Sequence, residues 1–124
     1  MAIENLLFTK DHEWIKTEGN EAIIGISEYA QSELGEIVFV ELPSVGEKRD
    51  KEAVFGTVEA VKAVSDLFMP VSGEVIAVNS ELESKPELIN EDPYEKGWMI
   101  RIKLADPSEL GTLMDSKTYE AFIQ

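Results

Sequence analysis

The chain has 124 residues and 44% hydrophobic side chains, enough for a globular core that buries roughly two thirds of the surface exposed by the unfolded chain. Its 25 Asp and Glu against 11 Lys and Arg give a net charge of −14, which repels phosphate backbones and excludes nucleic acid as a natural partner. With no cysteine there is neither a disulfide nor a thiolate metal site, and with one histidine, His12, no Ser-His or Cys-His nucleophile pair can be built.

No long uncharged apolar run is present, so no membrane span is expected. Met1-Ala2-Ile3-Glu4-Asn5 has an acid and no basic flank, unlike a targeting peptide, and a cytoplasmic protein is expected. No Pro/Gly/Ser-rich linker divides the chain, so residues 1–124 read as one domain.

Two-residue alternation predicts strands over Trp14 to Thr17 and Glu21 to Ile26. Ser27 then caps a helix running to Leu34, stopped by Gly35 in a left-handed conformation. In Glu36 to Leu42, alternation puts Val38, Val40 and Leu42 on one face and Ile37 and Phe39 on the other, ahead of a turn at Pro43-Ser44-Val45-Gly46. Further strands follow over Ala53 to Ala60, Val64 to Met69 and Gly73 to Val78, with a turn at Pro70-Val71-Ser72. In Trp98 to Leu104 the even positions Trp98, Ile100, Ile102 and Leu104 point inward, and Met99, Arg101 and Lys103 point outward. Asp106-Pro107-Ser108-Glu109 reads as a capping box with proline at the first helical position. Tyr119, Phe122 and Ile123 form the stripe of a C-terminal amphipathic helix. The result is a mainly β chain, a small sandwich or flattened barrel with short peripheral helices.

Inside this pattern lies a repeat. Gly56-Thr57-Val58-Glu59-Ala60-Val61 and Gly73-Glu74-Val75-Ile76-Ala77-Val78 share Gly-x-Val-x-Ala-Val at an offset of 17. The second copy runs into Asn79-Ser80, ordinary turn chemistry, so equivalence would put Lys62 where Asn79 stands, at a turn tip. Val61-Lys62-Ala63 contains no Gly, Asn or Pro, and a turn built without turn-formers points to selection for its lysine. Lys62 is either an ordinary strand-end cation or a presented amine open to acylation, and the repeat favours the second.

Other chemistry is thin. There is no Gly-x-x-x-x-Gly-Lys and no Gly-x-Gly-x-x-Gly, which leaves nucleotide binding without support. Of the acid pairs Asp11/Glu13, Glu81/Glu83 and Glu91/Asp92, the last two read as solvated surface. The chain lacks the equipment of an enzyme and reads as a non-catalytic carrier.

The segment Glu59 to Asp66, followed by Pro70-Val71-Ser72-Gly73-Glu74-Val75, resembles the lipoyl-lysine hairpin of the glycine cleavage system H protein family. His12-Glu13-Trp14, Gly25-Ile26, Tyr29-Ala30-Gln31, Leu34-Gly35, Val38 to Pro43 and Pro93 to Ile100 resemble the same family in the same order, across essentially the whole chain. One departure stands beside the lysine: Ala60 replaces a serine usual in the family.

The resemblance implies a barrel-sandwich hybrid of two pseudo-symmetric halves. It implies lipoate as a covalent cofactor on Lys62, with Glu13 and Asp66 as candidate contacts for the lipoyl arm. The implied partners are the pyridoxal-phosphate glycine decarboxylase (P protein), the folate-dependent aminomethyltransferase (T protein), dihydrolipoamide dehydrogenase (L protein) and a lipoate-attaching enzyme. The implied role is a monomeric shuttle among them, and a lipoate relay serving other complexes is an alternative needing the same lysine. A biotinyl carrier fits less well, since biotinyl lysines usually lie between methionines and Lys62 lies between Val61 and Ala63. A lipoyl domain of a 2-oxoacid dehydrogenase would bring a flexible tether. A plain β interaction domain would leave the turn lysine unexplained.

Overall fold

A computed structural model describes residues 5–124; of the Met1 to Asn5 segment read above, the first four residues lie outside the described residues. The strands are β1 (Leu7–Phe8), β2 (Glu13–Glu18), β3 (Glu21–Ile26), β4 (Ile37–Glu41), β5 (Lys48–Arg49), β6 (Val54–Ala60), β7 (Val64–Phe68), β8 (Gly73–Val78) and β9 (Ile100–Leu104). They form two antiparallel sheets, one ordered β1-β2-β3-β9-β8-β5 and the other β4-β6-β7. The helices are α1 (Glu28–Leu34), α2 (Glu81–Ser84), α3 (Leu88–Glu91), a 3-10 turn at Pro107–Thr112 and α4 (Ser116–Phe122). The expected mainly β, flattened barrel-sandwich architecture is the one observed.

The core explains why the sheets stack. Ile15, Ile24, Val75, Ile100 and Ile102 from the larger sheet meet Ile37, Val40, Phe55, Val58 and Leu67 from the smaller one, all buried. Each such side chain contributes about 1.5–3 kcal/mol relative to exposure. A second cluster lies on the other side of the larger sheet, where Leu6, Phe8, Trp14 and Tyr119 pack together and Phe8 stacks on Tyr119 at 4.3 Å. Through Tyr119 this cluster docks α4, while Phe122 stays half-exposed, so only part of the predicted stripe is buried.

The repeat resolves into one strand from each sheet, β6 and β8. Beyond those strands the copies diverge. Asn79 is buried and donates its amide to the Lys96 and Trp98 carbonyls at 2.9 and 2.8 Å, whereas Lys62 is exposed. Asn79 therefore closes a strand exit into α2 and does not sit at a hairpin tip.

Three local expectations change. The β4 register shifts between Ile37 and Phe39, so Ile37 and Val40 are buried while Val38 and Phe39 both point out, at 47% and 49% exposure. Alternation cannot survive an extra residue. Met99 is fully buried, because it precedes β9 in a segment whose amide donates to the Ile24 carbonyl and whose carbonyl accepts from Asn79. Asp106 caps the 3-10 turn by accepting from the Ser108 amide, but Glu109 does not close a capping box; its carboxylate accepts from the Ser72 amide and hydroxyl at 2.7 and 3.0 Å. The α1 expectation holds in full: Ser27 Oγ accepts from the Ala30 amide at 3.1 Å, and Gly35 stops the helix at φ 83, a backbone that side chains disfavour.

Candidate functional site

Strands β6 and β7 pair in register from Thr57↔Asp66 through Glu59↔Val64, and the chain reverses over Val61-Lys62-Ala63. The Ala60 amide donates to the Ala63 carbonyl at 2.7 Å, and the Val61 amide donates to the Glu36 carbonyl at 3.1 Å. The first bond closes the hairpin, and the second ties its tip to the start of β4. Gly56, lower on β6, lets β4 approach, since a Cβ there would lie 2.2 Å from the Glu41 carbonyl oxygen.

Among the described non-glycine residues only His12 and Glu52 have positive φ. The tip therefore avoids the primed turns favoured in hairpins, which need positive φ and hence Gly, Asn or Asp. That is how Val61-Lys62-Ala63 can turn without turn-formers. Its side chains are left in solvent, with Val61 66% and Val64 67% exposed. Among the described residues no hydrogen bond or salt bridge holds the exposed Lys62 ammonium. What the tip presents chemically is an accessible primary amine on a braced hairpin.

Glu13 opens β2 and is only 2% exposed. Its Oε1 accepts from Thr9 Oγ1 and its Oε2 from the Phe68 amide, both at 3.0 Å. Thr9 Oγ1 in turn accepts from the Asp11 and Glu13 amides at 3.2 Å, a side-chain turn that fixes the loop before β2. Burial pushes the Glu13 carboxyl up to about 8, against the opposing pull of its two hydrogen bonds. It forms part of the wall of a cleft of about 240 Å³ shared with Thr9, Lys10, Lys51, Met69 and Thr112.

Asp66 is exposed at mid-β7, two residues before the Phe68 amide that Glu13 holds. It does not line the Glu13 cleft. The fold thus brings Glu13 against the strand that descends from Lys62 and leaves Asp66 on the outward face of that strand, between the two.

His12 precedes Glu13 at φ 69 and is more than a loop residue. Its Nδ1 lies 2.9 Å from the Tyr119 hydroxyl, which lies 2.7 Å from Ser27 Oγ, joining α4, the β2 entry and the α1 cap. Burial holds His12 below its ordinary value, although Asp11 and Glu33 pull it upward. Sequence reasoning missed Thr9, the cleft and the outward turn of Val38 and Phe39. The Thr9-x-Asp11 spacing, a side-chain turn signal, was the one clue to the first. Among the described residues, no three His, Asp or Glu side chains could share a metal ion, and no helix is long and apolar enough to cross a membrane.

Comparison with known proteins covers the whole of this architecture. The family model described as "Glycine cleavage H-protein" matches residues 6–124. A glycine cleavage system H protein of Brevibacillus brevis is 53% identical over 121 residues, spanning 98% of this chain and 96% of the relative. One from Bacillus cereus is 55% identical over 115 residues, spanning 93% and 91%. The crystal structure of a glycine cleavage system H protein from Mycobacterium marinum superimposes with a TM-score of 0.88 at 35% identity, over 95% of each chain.

Proposed function

The chain belongs to the glycine cleavage H-protein family, and we propose that it is the lipoyl-bearing shuttle of that system, with Lys62 as the attachment residue. The observation that carries the assignment is the exposed, unpartnered amine at the tip of the β6–β7 hairpin. Amide formation needs an accessible primary amine and a backbone that stays put, and the tip supplies both. When bound, the lipoyl group would supply at Lys62 a redox-active disulfide, chemistry that a chain without cysteine lacks.

The partners that follow are a glycine decarboxylase, an aminomethyltransferase, a dihydrolipoamide dehydrogenase and a lipoate-attaching enzyme. Every one must find the same hairpin, and a braced tip offers it at little ordering cost. A relay role toward other complexes would use the same lysine. The direct test is intact mass and peptide mapping of protein from its native host. A lipoyl increment on the peptide containing Lys62 is expected; a biotinyl increment, or none, would overturn the assignment.

Glu13 and Asp66 serve as the acids that meet the arm on its way along β7. Asp66 stands at the middle of β7 and Glu13 holds the Phe68 amide at the end of that strand away from Lys62, so the two acids lie one after the other along the arm's path. Glu13, mostly protonated at neutral pH, takes on negative charge when a cation sits beside it, and its buried setting limits water access. After one round of glycine decarboxylation without a folate acceptor, Glu13→Gln and Asp66→Asn are expected to release ammonia and formaldehyde several-fold faster than wild type. Equal rates would remove both acids from the arm's path.

A further inference from the structure

The outward face of the β4–β6–β7 sheet has a composition unlike the rest of the surface. Phe39, Glu59 and Val64 stand in one cross-strand row, directly below the Lys62 turn, and all are exposed. The next row on that face is Glu41, Thr57 and Asp66. Beside the first row the β4 bulge turns Val38 outward next to Phe39, and the hairpin tip adds Val61. A regular strand would have buried one of Val38 and Phe39; the bulge exposes both at the loss of a buried side chain. Glu36 lies at the upper edge, bonded through its carbonyl to the tip. None of the three strands contains a lysine or arginine, so Lys62 is the only cation at this end of the sheet's sequence.

We propose that this face, anchored by Val38 and Phe39, docks the enzyme that acylates Lys62, and that this enzyme offers an apolar depression rimmed by lysine or arginine. The inference rests on the reading of Lys62 as the attachment site. Two arguments select the occupant. Two copies of this chain would set Glu36, Glu41, Glu59 and Asp66 against their own counterparts, a like-charge contact that disfavours self-association and leaves a basic partner as the complement. Among basic partners, the attaching enzyme must come closest. It has to bring an activated lipoyl carbonyl to Nζ at the length of a bare lysine side chain, whereas enzymes acting on the end of the arm work from more than twice that distance. In its step the Lys62 amine attacks the carbonyl carbon, the amide C–N bond forms, the activating group leaves with its electron pair and the amine releases a proton. That enzyme therefore cannot avoid contact with the surface around the root of Lys62.

The test is the acylation of unmodified protein by a lipoate ligase supplied with lipoate and ATP, followed by mass spectrometry. Phe39→Ser is expected to raise KM and lower kcat/KM about tenfold with kcat nearly unchanged, the loss of one docking anchor. Glu41→Lys, at an exposed position, is expected to lower kcat/KM as well, and wild-type kcat/KM is expected to fall as salt rises. Lys62→Arg, which cannot be acylated, should bind the ligase with a Kd that Phe39→Ser weakens in the same proportion. Wild-type kcat/KM in both Phe39→Ser and Glu41→Lys would overturn the proposal. So would a defect confined to the decarboxylase or aminomethyltransferase reaction, or a dimer in sedimentation that Phe39→Ser dissociates. If wild-type protein itself is not acylated at Lys62, it is the attachment assignment that fails.

Discussion

Lys62→Arg is expected to abolish glycine cleavage in a reconstituted system, down to the level measured without this protein, while leaving its melting temperature unchanged. The guanidinium keeps the positive charge but stays protonated at any workable pH, so it offers no nucleophilic nitrogen for amide formation. The fold should not notice. Lys62 is exposed and makes no hydrogen bond or salt bridge among the described residues, and such surface changes stay within about 0.5 kcal/mol. Four of the other lysines sit in plainly different settings. Lys48 and Lys103 lie within β5 and β9, Lys16 pairs with Glu18 at 3.6 Å, and Lys51 bonds to Thr112. Lys10, exposed in the β1–β2 turn, is the other lysine at a hairpin turn, so peptide mapping should find the lipoyl group on Lys62 and not there. Glycine cleavage above the background of the system lacking this protein would dispose of Lys62 as the carrier residue.

What could be read in the chain itself depended on whether local pattern and global structure agreed. The limits of β3 and β8 coincide with the predicted Glu21 to Ile26 and Gly73 to Val78 even though a bulge between Val75 and Ala77 interrupts β8, because turn residues bound the segments, Gly19-Asn20 before β3 and Asn79-Ser80 after β8. In β4 an inserted residue reverses the phase after Ile37, and nothing in Ile37-Val38-Phe39-Val40, four apolar residues in a row, reports where the bulge falls. The two-residue strands β1 and β5 are too short to carry a period at all. Glu109 left its capping box because a partner 37 residues away, Ser72, offered two donors, a contact that local sequence cannot encode. The candidate site divides the same way. Lys62 was legible because a repeat and an anomalous turn both marked it. Glu13 could be read from the sequence either as an arm contact or as an ordinary surface acid, yet it shares its strand face with Ile15 and is as buried as its neighbours. The signal was there in the parity of β2, but the strongly acidic composition made solvation the easier reading.

The burial of Glu13 also leads to a pH dependence with a definite sign. In the unfolded chain its carboxyl loses its proton near the ordinary 4.5, while in the folded protein it holds the proton to about 8. Below 4.5 the group is protonated in both states, and its contribution to stability is fully present. As pH rises from there the unfolded state binds fewer protons than the folded one, so stability falls until the folded carboxyl has also ionised, near 8. A difference of that size corresponds to about 5 kcal/mol over the window, several times the effect of an ordinary surface substitution. Glu13→Gln removes the titration. Its amide oxygen can still accept from the Phe68 amide, but its NH2 faces a Thr9 hydroxyl that already accepts two backbone amides, so the variant should start about 1–3 kcal/mol less stable at pH 4.5. The two stability curves, measured by denaturant unfolding from pH 4.5 to 8.5, should therefore converge and then cross as pH rises. Parallel curves would mean that Glu13 is ionised in the folded protein throughout. Its hydrogen bonds from Thr9 and Phe68 would then outweigh the cost of burying the charge, and the carboxylate would stand in the cleft before any cation arrives.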